Sequence, residues 1–205
     1  GGVLISTISN IIERRVDVVN TGRMTYCNIT QHYVLIGFNE LSINMIRELY
    51  NECPSARILL MSGIEAATVR HRIQSALPIE IERQVLVYFG NIESVEELQR
   101  LNIVSASEVY VLGDEERCGR DAKNIAIVHL VSALRGKCPD GKVMPVYVQF
   151  DSIPSYSNIQ KMNLPPEVFC IEGKPNIFFR PFNLHENLAR QLWSLYACLL
   201  YTSPS

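Results

Sequence analysis

The residues with the most chemical potential in this chain form one short stretch, Gly37-Phe38-Asn39-Glu40-Leu41-Ser42. It lies between an apolar run and a segment of helical periodicity. A glycine turn at such a junction offers backbone N–H groups, and the start of the helix adds the positive end of its dipole, so the pair suits an anion. The full phosphate-cradling pattern is G-x-G-x-x-G. Here its three positions hold Gly37, Asn39 and Ser42, so only the first glycine is kept. A side chain at 39 is expected to project where a pyrophosphate would approach, while Asn39 and Ser42 add side-chain donors. Glu40 would compete for the same N–H groups. Glycine or polar residues also close later apolar runs at Ser62, Gly90-Asn91 and Gly113-Asp114. Together with Gly37, Phe38, Asn39, Glu40 and Ser42, these are the candidate ligand-binding residues.

Catalytic and metal-binding patterns do not emerge beside them. There is no Tyr-x-x-x-Lys pair, and the four histidines, at 32, 71, 129 and 185, are far apart. His129, on an apolar helical stretch, is expected to be a satisfied core residue. Arg70, His71 and Arg72 could bind a phosphate, but a solvated helix face is the favoured reading. The six cysteines, at 27, 53, 118, 138, 170 and 198, form no C-x-x-C pair. That argues against a zinc or thioredoxin-type site and for reduced thiols in the cytosol.

The elements that must hold the candidate site alternate between strand and helix. Tyr33-Val34-Leu35-Ile36 reads as a buried strand. Leu41, Ile43, Met45, Ile46, Leu49 and Tyr50 then recur at helical spacing. A second strand over 57–62 ends at Ser62. There a dinucleotide-binding fold carries an acidic residue for ribose hydroxyls, and Glu65 is a late substitute. A crossover over 65–83 is mostly helical and broken at Pro78. A third strand spans 85–89. Ser94 and Glu97 then form a predicted capping box for a short helix ending near Leu101-Asn102. A fourth strand covers 109–112, a helix 119–134, and a fifth strand 143–150, with Pro145 at an edge or at the strand opening. Five strands buried on both faces, with glycine-ended loops, predict a parallel, doubly wound sheet whose ligands sit at the carboxyl ends of its strands. Residues 155–182, with Pro165-Pro166, Pro175 and Pro181, read as irregular apart from a short strand at 168–171. A last apolar helix is predicted over 184–196, large enough in its apolar face to need a partner element or a second subunit.

Length and charge set the remaining bounds. The chain has 205 residues, enough for one sizeable domain with an appendage, and its net charge of -2 gives no pointer to nucleic acid. Neither a signal peptide nor a run of 18 apolar residues is visible. Residues 1–17 are apolar at one helical face and end in Glu13-Arg14-Arg15; they read either as a helix packed on the domain or as a membrane span leaving on its cytoplasmic side. Residues 18–31 read as a linker. The octapeptide Cys198–Ser205 resembles a translated transposon-type sequencing adaptor, and is expected to lie outside the fold.

The run VLVYFGNIESVEELQRLNIVSASEVYVLGDEE over 85–116 resembles the second half of a TrkA-N domain, the regulator-of-potassium-conductance (RCK) module. The matches are Gly90-Asn91, Leu98, Leu101-Asn102-Ile103, Ala106 and Val109, and Asp121-Ala122-Lys123-Asn124 is similar to the segment after that family's fourth strand. The turn Gly37-Phe38-Asn39-Glu40 is similar to the G-W-N-E of the Castor/Pollux-like ion channel branch. The resemblance covers 33–150 well and 151–197 loosely. It implies a Rossmann-like α/β sheet of five to six strands, with an N-terminal helix stub and a C-terminal helical appendage. The implied organisation is a pore-helix stub and linker over 1–31, the RCK/TrkA-N domain over 32–154, a C-terminal extension over 155–197 and the adaptor-like tail over 198–205.

The implied function is a cytoplasmic ligand-sensing regulatory domain of a prokaryotic potassium or other cation channel. It would act on its own pore domain upstream and be held at the cell membrane by spans outside this chain. A homo-oligomer, dimer or gating ring, is expected, with no nucleic-acid partner and no catalysis. Members that bind NAD(H) or ATP keep two or three glycines and an acidic residue after the second strand. The changes at Asn39, Ser42, Ser62 and Asn91 therefore imply weak binding of NAD(H) or an adenine nucleotide at most. Two alternatives use the same fold: an NAD(P)-dependent oxidoreductase, and a peripheral regulatory subunit of a potassium-uptake transporter.

Overall fold

A computed structural model describes residues 22, 25–26, 28–115, 118–135, 143–152, 170–171, 174–175 and 177–183. Its strands are β1 Tyr33–Ile36, β2 Ile58–Ser62, β3 Val85–Phe89, β4 Glu108–Val111, β5 Met144–Phe150, β6 Cys170–Ile171, β7 Lys174–Pro175 and β8 Ile177–Asn183. Its helices are α1 Ser42–Glu52, α2 Ala66–Ala76, α3 Ile79–Glu82, α4 Val95–Gln99 and α5 Arg120–Arg135. Six strands form one sheet in the order β3-β2-β1-β4-β5-β8, every neighbouring pair parallel. The order reverses between β1 and β4, so the crevice of a doubly wound sheet opens at their carboxyl ends.

Side-chain alternation along each strand divides the core between two faces. Leu35, Leu60, Val87 and Tyr110 pack against Ile46 and Leu49 of α1, Val69 and Ile73 of α2 and Ile81 of α3. Ile36, Met61, Tyr88, Val111 and Val148 face the other way, against Leu98 of α4 and Ile127, Val128 and Val131 of α5. Apolar residues on both faces are what a parallel sheet covered by crossover helices requires.

Several expectations change. Residues 177–182, read as irregular, form with Asn183 the edge strand β8, in register with β5 from Met144↔Ile177 to Phe150↔Asn183. Pro181 hid it, yet proline is tolerated on an edge strand because one side needs no N–H. The edge alternative for Pro145 fails: β5 lies between β4 and β8, and its ladder with β4 begins at Val146, one residue past the proline. Only half of the capping box forms. Ser94 Oγ accepts the Glu97 N–H at 3.3 Å, but the Glu97 carboxylate takes the Tyr88 hydroxyl instead of returning to the cap. His129 is exposed, because α5 turns Ile127, Val128 and Val131 inward and position 129 follows them round to solvent. Among the described residues the buried histidine is His32, whose Nε2–H donates to the Leu101 carbonyl at 3.0 Å. Of the 168–171 strand, Cys170–Ile171 pairs antiparallel with β7. The helices expected over 1–17 and 184–196 lie outside the described residues. No helix among the described residues is long and apolar enough to cross a membrane.

The described part of 18–31 is tied to the sheet. The Phe89 N–H donates to the Gly22 carbonyl at 2.7 Å, Tyr26 N–H to Arg100 at 2.9 Å and Gln31 N–H to Ser105 at 2.9 Å. Asn102 Nδ2 donates to the Ile29 carbonyl at 2.8 Å. Asn102 itself has φ +49°, the left-handed conformation that asparagine tolerates better than most residues.

Candidate ligand site at the strand ends

The turn after β1 is built on a backbone contact. Gly37 has φ +98°, and a Cβ there would sit 2.2 Å from the Gly113 carbonyl carbon. The ends of β1 and β4 therefore meet glycine to glycine, and the Gly37 N–H reaches across to the Met61 carbonyl at 2.7 Å. Gly113, at φ +74°, would push a Cβ to within 2.7 Å of the Arg120 side chain.

Asn39 does not project into the crevice as expected. It is buried, and its Nδ2 donates to the Leu112 carbonyl at 3.0 Å, the Gly113 carbonyl at 3.2 Å and Gln149 Oε1 at 3.1 Å. Its Oδ1 accepts the Leu41 N–H at 2.9 Å, and its own N–H goes to Ser42 Oγ at 2.9 Å. Asn39 and Ser42 thus brace the turn that leads into α1 and tie it to β4 and β5. Neither arrangement leaves those groups pointing at a ligand. The reason is steric: with β1 and β4 in backbone contact, the short amide fits beneath the β4 turn, where carbonyls need donors.

The Phe38 N–H, the first donor of the turn, is taken by a carboxylate. It lies 3.0 Å from Asp114 Oδ1. The same oxygen accepts the Ser62 hydroxyl at 2.6 Å, and Oδ2 accepts the Gly63 N–H at 3.0 Å. Ser62 Oγ in turn accepts the Ile64 N–H at 3.0 Å. Asp114 therefore bridges from β4 over β1 to the end of β2. Glu65, the substitute considered for the acidic residue after β2, is exposed and precedes α2. Glu40 is also exposed.

Asn91 Oδ1 accepts the Glu93 N–H at 3.0 Å, and the Asn91 carbonyl accepts the Ser94 N–H at 3.0 Å, so Asn91 shapes the entry to α4. Gly90 N–H donates to the Ser62 carbonyl at 3.0 Å. A Cβ at Gly90 would meet Tyr88 and Glu97 at 2.7 Å. The Tyr88 hydroxyl sits between Glu97 and, at 3.4 Å, Arg100. Burial first, then the bond to Glu97, raises its pKa above the ordinary tyrosine value.

Two hollows open here. One, about 160 Å³, is lined by Gly63, Asn91, Glu93, Asp114, Lys123 and Asn124 among others. The second, about 700 Å³ and more open, lies over Gly63, Tyr88, Gly90, Asn91, Glu97 and Arg100. Gly90, Asn91, Gly113 and Asp114 line these hollows; Gly37, Phe38 and Ser62 line neither, and Phe38 and Ser62 join them through their bonds to Asp114. Phe38 is buried, with the Arg72 guanidinium 5.8 Å above its ring centre, and Arg72 pairs with Glu115.

Sequence reasoning misses Arg120, Asn124, Gln149 and Glu115, and reads Arg72 as part of a solvated helix face. Arg120 is 2% exposed; its Nη1 pairs with Asp151 at 2.8 Å, and its Nη2 donates to the Glu115 carbonyl at 3.0 Å. Asn124 Nδ2 donates to the Gln149 carbonyl at 2.9 Å. Asn124 had one legible signal, the Asp121–Asn124 segment of the family resemblance. The others sit at sequence distances that no local pattern reports. Among the described residues no group of three His, Cys, Asp or Glu side chains could hold a metal ion. The crevice offers hydrogen-bonding groups and one bridging carboxylate. It does not present the free turn N–H groups that a dinucleotide's pyrophosphate would need.

No protein-family model matches the sequence, and no curated protein does. Solved structures are similar in fold. One is described as the GsuK channel bound to NAD, at TM-score 0.53 and 14% identity over 78% of this chain and 25% of that one. Another, GsuK bound to ADP, gives TM-score 0.53 and 15% identity over 76% of this chain and 35% of that one. The GsuK channel without a stated ligand gives TM-score 0.51 and 14% identity over 75% and 24%. The chain spans between a quarter and about a third of the length of these proteins, and at this identity the likeness is one of fold.

Proposed function

We propose that this chain is the cytoplasmic ligand-sensing domain of a cation channel. It would read an adenosine-type ligand, NAD(H) or an adenine nucleotide bound weakly, at the strand ends and pass the signal to a pore domain joined at its N-terminal side. The observation that carries this reading is the bond between Phe89 and Gly22. The segment approaching the domain from its N-terminal side is pinned to the carboxyl end of β3. Phe89 and Gly90, at that end, line the larger hollow. A ligand that shifts β3 therefore shifts the attachment of that segment. The similar fold of the NAD- and ADP-bound GsuK structures supports the ligand class, and the RCK resemblance supports the regulatory role and a Castor/Pollux-like origin.

For such a domain to work on a gate, the ligand must bind two conformations with different affinity. It must also act in an assembly, a dimer or gating ring at the cytoplasmic face of the membrane. Size-exclusion chromatography with light scattering tests the assembly, which should form as concentration rises. A chain that stays strictly monomeric would count heavily against this function. Hydrogen exchange at the Phe89 amide, with and without adenine nucleotide, tests the coupling, and protection should change on binding.

A further inference from the structure

The Asp114 carboxylate stands where an incoming anion would be held. Its three donors, the Phe38 and Gly63 N–H groups and the Ser62 hydroxyl, come from the ends of β1 and β2. Those are the positions at which a doubly wound sheet ordinarily meets phosphate, through the N–H groups of its turn, and ribose, through an accepting carboxylate. We propose that Asp114, delivered from β4, holds the anion position of the glycine turn and makes this a site for the hydroxyl-bearing nucleoside part of its ligand rather than for phosphate. The inference rests on the ligand-sensing reading above and specifies which part of the ligand the site recognises.

Three features carry it. A carboxylate has about four lone-pair directions, and the three donors leave one on Oδ2. Asp114 and Gly63, whose N–H is bound to Oδ2, both line the 160 Å³ hollow. Second, two residues that line the same hollow, Asn124 and Arg120, carry buried polar atoms with no hydrogen-bond partner, among them Asn124 Oδ1 and Arg120 Nε. Their needs are opposite: the amide oxygen requires a donor, the guanidinium N–H an acceptor. Hydroxyl groups supply both, whereas a phosphate at neutral pH is chiefly an acceptor and would leave Asn124 Oδ1 and the Asp114 lone pair unsatisfied. Third, the two arginines nearest the turn are already engaged. Arg120 is paired with Asp151, and Arg72 with Glu115. Asp114 thus restores, from a different strand, the carboxylate that Ser62 replaces at the end of β2. The same group repels phosphate from the Phe38 amide.

Isothermal titration with adenosine, AMP, ADP and NAD decides it. The intact chain should bind adenosine at least about tenfold more tightly than ADP or NAD, because like charges at the turn discriminate against phosphate. Asp114→Asn keeps the shape and removes the charge, and should shift the ADP-to-adenosine affinity ratio by about tenfold toward ADP. The unmodified protein's own ratio remains decisive if that variant folds poorly. Tighter binding of ADP or NAD than adenosine by the intact chain would overturn the role of Asp114 while leaving a ligand-sensing domain standing. So would a ratio that Asp114→Asn leaves unchanged. No binding of any of the four at millimolar concentration would overturn the ligand reading itself, and this inference with it.

Discussion

Asn39 and Gln149 meet side chain to side chain, 110 residues apart in sequence, with Nδ2 donating to Oε1 at 3.1 Å. The contact joins the glycine turn of β1 to the end of β5 and passes beneath the β4 turn, whose Leu112 and Gly113 carbonyls share the same amide. Asn39 is therefore a cross-link between three strand ends. Asn39→Gly, which superficially restores a nucleotide-binding turn, should instead destabilise the fold by about 2–4 kcal/mol, because buried carbonyls and the Leu41 N–H lose their partners. Urea unfolding would measure it, and a variant as stable as the parent would contradict this role.

The Gly37–Gly113 contact predicts an unequal response among glycines with positive φ. Gly37→Ala places a methyl group against backbone that has no side chain to yield, so the variant should fail to fold or lose at least about 4 kcal/mol. Gly119 has a similar φ of +72° but open space around it, and Gly119→Ala should cost only about 1–2 kcal/mol, the ordinary left-handed penalty. Circular dichroism melts of the two variants side by side test the contrast.

His32 sets a pH dependence. Burial lowers its pKa below the ordinary 6.5, outweighing the bond to the Leu101 carbonyl, which acts the other way. Above 6.5 neither state binds the proton, and this group leaves stability unchanged. As pH falls below 6.5 the unfolded chain takes up a proton that the native chain resists, so stability declines until the pH passes the folded pKa. His32→Gln should lower stability at pH 8 yet flatten the loss between pH 7 and 5. Denaturant midpoints across that range would show it, and parallel profiles for the two proteins would exclude His32 as the source.

The attached N-terminal segment predicts a boundary for truncation. Removing residues 1–17 should leave the thermal midpoint within a few degrees, as expected of a stub that serves another domain. Removing residues 1–31 should lower it clearly. That cut deletes Tyr26, which packs on the core, and frees the Phe89 N–H and the Arg100 and Ser105 carbonyls. Equal midpoints for the two truncations would mean that these contacts contribute nothing.

By itself, the sequence determined the alternation of strands and helices and the residues that close each strand at its carboxyl end. Those features are local. The apolar runs of β1 to β5 and the helical spacing of α1 and α5 can be read within windows of ten or so residues. The residues that close each strand follow from the same windows. Only the tertiary structure decided what those residues do. Whether Asn39 faces a ligand or a neighbouring strand depends on how closely β1 and β4 approach, and that distance is set by two glycines 76 positions apart. Whether the end of β2 has a carboxylate depends on Asp114, which β4 brings across the sheet to Ser62. The strand β8 was hidden for the same reason. Its partner β5 lies more than 25 residues earlier, and pairing across that distance leaves no periodic trace, least of all in a segment carrying Pro181.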